Sequence, residues 1–230
     1  MTQNAAAPPH GLFLPSPFGR SPSPDAPDEH QNRDRILLAA ASLFANKGYA
    51  GTSVREIVEA AGVTKPTLYY YFKNKEALYI KLMDLAVETF CWVLSQAINR
   101  PGTIREQLTA LLSDLFDVFR ENVDLLRLVN TMFYGPKGAT PPYDFHSIDE
   151  HFDRVILERL DSGVQTGELR AENKHFLLML LGGFIQAMEY ILIWEPDKSG
   201  LSPADFRQII DILFDGARTA PPREPVGARP

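Results

Sequence analysis

Cysteine is almost missing from this chain of 230 residues: Cys91 is the single one, which excludes an internal disulfide and every zinc site built from several thiolates. A basic surplus is missing too. Lys and Arg number 23 against 29 Asp and Glu, a net charge of −6 that by itself speaks against a polyanionic partner. The opening residues lack the basic start and unbroken apolar run of a signal peptide. No Gly-rich phosphate loop, Gly-x-Ser-x-Gly elbow or His-Glu-x-x-His helix is present, so the main motif-bearing enzyme classes drop out. Repeats are not apparent. What is there is 45% hydrophobic and 23% charged, which supplies a real core and fits one large domain or a small one joined to a larger.

Proline placement draws the outer boundaries, because 7 of the 18 prolines lie in residues 1–30 and 4 in the last ten. Residues 1–30 therefore read as a disordered Pro/Ser-rich tail and 219–230 as a second one, since such spacing supports neither helix nor ladder. Between them charge is uneven. Residues 33–81 hold eight basic and four acidic side chains, while the remaining 15 basic and 25 acidic residues leave −10 for the rest. A basic head sits on an acidic body, and a polyanion would feel the head.

The head reads as three short helices. In RDRILLAAASLFANKG the residues Ile36, Leu37, Ala40, Leu43 and Phe44 recur at helical spacing, and Gly48 stops the run. Ser53 and Glu56 form a capping-box pattern for a second helix of about eight residues, closed by Gly62. Thr64 caps a third, KPTLYYYF, with Pro66 in the first turn where its missing N–H costs nothing. Two short helices joined by AAGV are a helix-turn-helix pattern. On the third helix Leu68 and Phe72 are four apart and can pack inward, leaving Lys65, Thr67, Tyr70 and Tyr71 on the outer arc with Tyr69 at its edge. Three tyrosines could be a packing ridge, but hydroxyl-tipped rings beside lysines suit phosphate, sugar and base contacts better.

Residues 33–81, with AAASLFANKGYAGTSVREIVEAAGVTKPTLYYYFKNKEALY, resemble the DNA-binding head of the TetR family of bacterial transcriptional regulators. The resemblance implies an all-α homodimer: a helix-turn-helix head over residues 31–76 and, over 77–218, a helical effector-binding and dimerisation body. It also implies that Thr64, Lys65, Thr67, Tyr69, Tyr70, Tyr71 and Lys75 face DNA, that Thr52 and Ser53 approach a phosphate, and that Leu68 and Phe72 are core. Pro66 departs from the glycine more usual there, which removes one backbone donor.

The body can be read from its own pattern. A long helix opens at Asn74 or Lys75 and stops at Pro101 and Gly102; others cover 103–119 and 122–132. After the loop YGPKGATPPYDF, Ser147 and Glu150 predict a capped helix to about Ser162. FLLMLLGGFIQAMEYILIW, 176–194, is apolar on nearly all sides, but Gln186 and Glu189 and the lack of a second span argue against a membrane. Together with 203–216 it predicts a four-helix dimer interface, with Gly182 and Gly183 allowing close approach. Trp92, Phe116, Phe119, Leu128, Met132, Phe133, Tyr134 and Phe176 are the candidate lining of an effector pocket. Asp144, His146, Asp149, His151 and Asp153 read as helix-start acids and exposed histidines rather than a metal site, and Cys91 as packing beside Trp92.

These readings converge on a sequence-specific regulator that is not an enzyme and needs no cofactor or metal. Its expected partners are double-stranded operator DNA, a second copy of itself and a small apolar or amphipathic effector, and its expected place is the cytoplasm, on the nucleoid when bound. A repressor released by its effector leads; an activator of the same fold, or a helical scaffold that no longer binds DNA, is the alternative.

Overall fold

A computed structural model describes residues 28–136, 138–198 and 200–215, and all regular structure among them is helical. The helices are α1 (Asp28–Gly51), α2 (Val54–Ala61), α3 (Lys65–Tyr71), α4 (Lys75–Ile98), α5 (Ile104–Glu121), α6 (Val123–Tyr134), α7 (His146–Gln165), α8 (Lys174–Trp194) and α9 (Pro203–Asp215). The expectations for the two Pro-rich tails lie outside the described residues.

Local chemistry sets most of the boundaries. Gly48 takes φ 76° and breaks the α1 run, with one further short turn to Gly51. The Ser53–Glu56 box is closed both ways: Glu56 N–H donates to Ser53 Oγ at 3.2 Å, and Ser53 N–H to Glu56 Oε2 at 2.8 Å. A hydrogen bond from Lys47, then those from Ser53, hold the Glu56 carboxyl down at about 2. Gly62 ends α2 in the left-handed region at φ 62°, and a Cβ there would lie 2.4 Å from Arg35 Nη2, which donates to the Gly62 carbonyl. The turn between α2 and α3 is thus set by backbone freedom and by the space Arg35 occupies. Thr64 accepts from Thr67 N–H at 3.3 Å, so α3 begins at the expected cap, and Asn74 accepts from Ala77 N–H at 2.7 Å, which starts α4 at Lys75.

The start of α7 differs from expectation. The helix begins at His146 with Phe145 as a cap residue that makes no side-chain bond, which places Ser147 inside the first turn. Aromatic packing anchors this end instead: the Phe145 ring lies 4.5 Å from that of Phe133 and 4.8 Å from that of Tyr143. Nor do Gly182 and Gly183 serve close helix approach within the chain, since a Cβ at either would meet nothing within 4 Å.

Two apolar cores follow. The head core joins Ile36, Ala40 and Phe44 of α1 to Ile57, Leu68 and the first half of α4, and it takes Leu125 and Leu128 from α6. The body core joins the second half of α4 to α5, α7, α8 and α9, with the rings of Phe116 and Phe206 5.3 Å apart. Helix α4 runs from one core into the other, and α6 lies between them.

Helix α8 is divided lengthwise. Leu177, Leu181, Ile185, Met188 and Leu192 face the body core, whereas Phe176, Met179, Leu180, Tyr190 and Trp194 are 47–68% exposed. Gly183 and Ala187 continue the open face. By length and composition α8 could cross a membrane, yet its inner stripe is committed to the body. A soluble protein rarely leaves such an outer stripe without a partner.

Candidate nucleic-acid interface and ligand cavity

Helix α3 is anchored from behind and open in front. Leu68 is fully buried and Phe72 nearly so, which turns Lys65, Pro66 and Tyr70 outward; Tyr70 is 72% exposed and Tyr69 50%. Thr64 and Thr67 share a hydroxyl hydrogen bond of 2.8 Å across the helix N-terminus. The Tyr70 and Tyr71 rings meet edge to face at 4.9 Å, with Tyr71 half-buried against the head core. Ser53 is exposed at the α2 N-terminus. An outward arc of ammonium, hydroxyl and phenol groups on a rigidly backed helix can enter a major groove and reach both bases and phosphates.

Two residues assigned to DNA by resemblance are turned inward. Thr52 is 2% exposed, its hydroxyl placed to donate to the carbonyl of Gly48 at 2.9 Å or of Leu43 at 3.2 Å. Lys75 Nζ donates to the carbonyls of Tyr49 and Thr52, both at 2.8 Å, and sits 4.2 Å from the centre of the Tyr49 ring. Both clamp the α1–α2 turn from inside: the Thr52 hydroxyl proton is taken, and two of the three Lys75 N–H donors are committed to the turn.

The body holds an apolar cavity of about 230 Å³. Its walls are Phe90 of α4, Phe119 of α5, Phe133 of α6, Phe145 and Phe152 at α7, and Gly182 and Ile185 of α8. Leu125 and Val129 on α6 line the cavity and also pack into the head core. Among the described lining residues there is no Lys, Arg or His; Thr89, Asn122, Gln186 and Glu189 are the polar ones.

Asn122 closes α5. Its Nδ2 donates to the Val118 carbonyl at 2.7 Å, while its Oδ1 is buried and meets no donor. Glu189 stands in the same wall, and burial pushes its carboxyl up to about 7, against which a hydrogen bond with Asn130 works only in part. The folded protein therefore holds this proton more tightly than the unfolded chain, whose glutamate titrates near 4.5, and stability falls as pH rises from that value to about 7. Glu189→Gln is expected to be more stable than the parent at pH 8 by ~1–3 kcal/mol, a gap that closes toward pH 5. Urea unfolding at the two pH values measures it.

Of the eight pocket candidates, Phe119 and Phe133 line the cavity. Phe116 is spent on Phe206, and Trp92 packs half-buried against the body core. Leu128 and Met132 face the head, where Tyr79 Oη lies 3.4 Å from Met132 Sδ. Tyr134 is exposed, donating to Gln186 Oε1 at 2.7 Å, and Phe176 stands on the outer face of α8. An apolar helix position has several neighbours to choose from, and sequence spacing does not say which it meets. Glu189, Asn122 and Gly182 were missed as cavity groups, although an acid on a helix apolar all round was a signal in plain view.

Of the histidine–acid cluster, the side chains of His146 and Asp149 lie outside the described residues; His151 Nδ1 is 3.0 Å from an Arg154 nitrogen. No group of three or more potential metal ligands occurs among the described residues.

Comparison with known proteins adds four relationships. The profile of bacterial regulatory proteins of the tetR family matches residues 36–82. The chain is 36% identical over 197 residues to the HTH-type transcriptional repressor KstR2 of Rhodococcus jostii, covering 85% of this chain and 95% of the relative. It is 30% identical over 99 residues to the HTH-type transcriptional activator FasR of Mycolicibacterium smegmatis, where it spans 45% of that relative's length. Among solved structures, the transcriptional regulator FadR from Bacillus subtilis in complex with stearoyl-CoA superposes with a TM-score of 0.60 at 22% identity, covering 80% of this chain and 98% of that one.

Proposed function

The chain belongs to the TetR family of bacterial regulatory proteins, a DNA-binding regulator of transcription and not an enzyme, and from that premise we propose that it is a repressor released from its operator by a small apolar or amphipathic effector. The outward arc of α3 carries this reading. Lys65, Thr67 and Tyr70 are assigned to base edges, with Ser53, Thr64, Tyr69 and Tyr71 on phosphate or groove wall. The protein works in the cytoplasm as a dimer formed through α8 and α9, so that two recognition helices meet successive major grooves. Repression rather than activation is favoured because the repressor relative is matched over nearly its whole length and the activator over less than half.

Helix α6 supports the switching half of the reading. Its Leu125 and Val129 touch both the cavity and the head core, so a ligand that displaces α6 also moves the head. Only a ligand that prefers one head arrangement can shift the balance between them. The Bacillus subtilis regulator of the same fold was solved with stearoyl-CoA, a molecule of the amphipathic class proposed here. The test is a fluorescence-anisotropy titration of the protein against selected and scrambled duplexes over a range of salt, with and without candidate apolar ligands. Sequence-specific binding reversed by an apolar ligand is expected; salt-independent or absent DNA binding would remove the proposal.

Gly182 offers a way to separate the two activities. It lines the cavity, and a side chain there meets open space while raising helix propensity. Gly182→Leu is expected to stabilise the protein by ~0.5–1 kcal/mol, leave operator affinity unchanged and blunt effector release, read by thermal melts and the same anisotropy assay.

A further inference from the structure

Between α6 and α7 the chain holds no helix or strand over residues 138–145, yet this segment is tied to the body on one side and to the head on the other. On the body side Phe145 lines the cavity, and its ring meets that of Phe133, another lining residue, at 4.5 Å. On the head side the Tyr143 hydroxyl donates to Asp84 Oδ1 at 2.9 Å, a partly buried bond between residues 59 positions apart. Asp84 belongs to the stretch of α4 whose Leu82, Met83 and Leu85 are fixed in the head core. The Tyr143 and Phe145 rings are themselves 4.8 Å apart, so cavity wall, connection and α4 form an unbroken line of side chains.

The chemistry of the segment suits a stiff joint. A hydrogen bond to a carboxylate is stronger than one between neutral groups, and burial first, then Asp84, pushes the Tyr143 hydroxyl up, which keeps it a donor. A second tie runs beside it: Thr140 Oγ1 and Tyr79 Oη both lie 3.4 Å from Met132 Sδ, and Tyr79 is a fully buried member of the head core. Pro141 and Pro142 stand between the two ties and fix the backbone there.

We propose that residues 140–145 form a strut that sets the angle of the head on the body, with Tyr143 as a positioning residue for operator binding: through Asp84 it holds α4 so that the two heads of a dimer match two half-sites, and through Phe145 it passes the state of the cavity wall to α4. The inference rests on the dimeric operator reading above and adds a contact outside α6 on which head placement depends. Helix α4 runs from one core into the other, so a tie at Asp84 restrains the swing of everything before it. A head that swings more freely still binds one half-site. What it loses is the effective concentration of its partner head at the other.

The variants are Tyr143→Phe, Asp84→Ala and Phe145→Leu in the full-length protein, titrated by fluorescence anisotropy against a selected full-operator duplex and against a duplex carrying a single half-site. Tyr143→Phe is expected to weaken full-operator binding about fivefold or more while leaving the half-site within about twofold. Asp84→Ala should do the same, and the double variant no more than either single one, because both remove the same bond. Phe145→Leu, which takes away the ring between Tyr143 and the cavity wall, should show the same pattern at smaller size. Tyr143→Phe keeps its ring contacts, and it serves alone if circular dichroism shows that the other two do not fold. Full-operator and half-site binding weakened in the same proportion, as a tie that served folding alone would give, would overturn the inference, and so would an unchanged full-operator affinity. A parent that binds the full operator no more tightly than the half-site would remove the two-headed reading as well.

Discussion

A double substitution on the outer face of α8, Leu180→Glu with Tyr190→Glu, is expected to turn a dimer into a monomer and weaken operator binding by about two orders of magnitude or more. Both side chains are largely exposed in the single chain, so their replacement leaves the body core as it is. In a two-fold dimer each change is made twice, and four carboxylates would lie in an apolar interface without partners. A lone head then loses the linked second half-site, whose contribution through effective concentration is typically about 10²–10⁴. Sedimentation velocity at low micromolar concentration should report a mass near 25.8 kDa for the variant and about twice that for the parent. Phe214 is the poorer place for this experiment, because its ring is stacked under the Arg105 guanidinium and packs against the chain's own core. A parent that sediments as a monomer, or a variant that stays dimeric, would refute the assignment of this face.

Lysines of the same head should behave in opposite ways. Lys75→Met removes two charge-assisted hydrogen bonds to the carbonyls of Tyr49 and Thr52 and the contact with the Tyr49 ring. At about 1.5–3 kcal/mol per bond to a charged group, with partial rehydration of the freed carbonyls, a net loss of about 3 kcal/mol is expected. For a chain of this size that is a fall in melting temperature of about 6–12 °C. Lys65→Ala, at an exposed position on α3, should leave the melting temperature within about 1 °C and weaken specific operator binding at least about tenfold. Differential scanning calorimetry beside anisotropy titration distinguishes them. An unchanged melt for Lys75→Met together with a reduced salt slope would return that lysine to the phosphate backbone.

That contrast also marks how far the sequence could be read. Ser53 and Thr64 announced two helix starts correctly because a cap is a local matter, settled within four residues of chain. Leu68 and Phe72 could be placed inside for the same reason: their spacing leaves one face of a short helix to bury. Lys75 could not be placed, since its partners lie 26 and 23 residues earlier and a lysine in a basic head reads as surface. The α7 start misled because a Ser-x-x-Glu pattern competes with aromatic anchoring, and the Phe145 ring against Phe133 is a tertiary contact. The cavity was half legible at best. Large apolar residues mark the interior, but whether Phe116 fills a core or lines a void depends on Phe206, ninety positions away.

The sharing of α6 bears on how readily such a head could be exchanged. Leu125 and Leu128 complete a hydrophobic core whose other fully buried members come from residues 36–85. A chimera that grafts residues 31–76 onto a foreign body would cut through α4 just after its cap and leave behind Leu78, Leu82 and both α6 leucines. The graft would carry its recognition helix but not the surface that holds Leu68 and Phe72 in place. A portable reading unit from this chain must be taken with the rest of α4 and with α6, or supplied with side chains of matching volume by its new host.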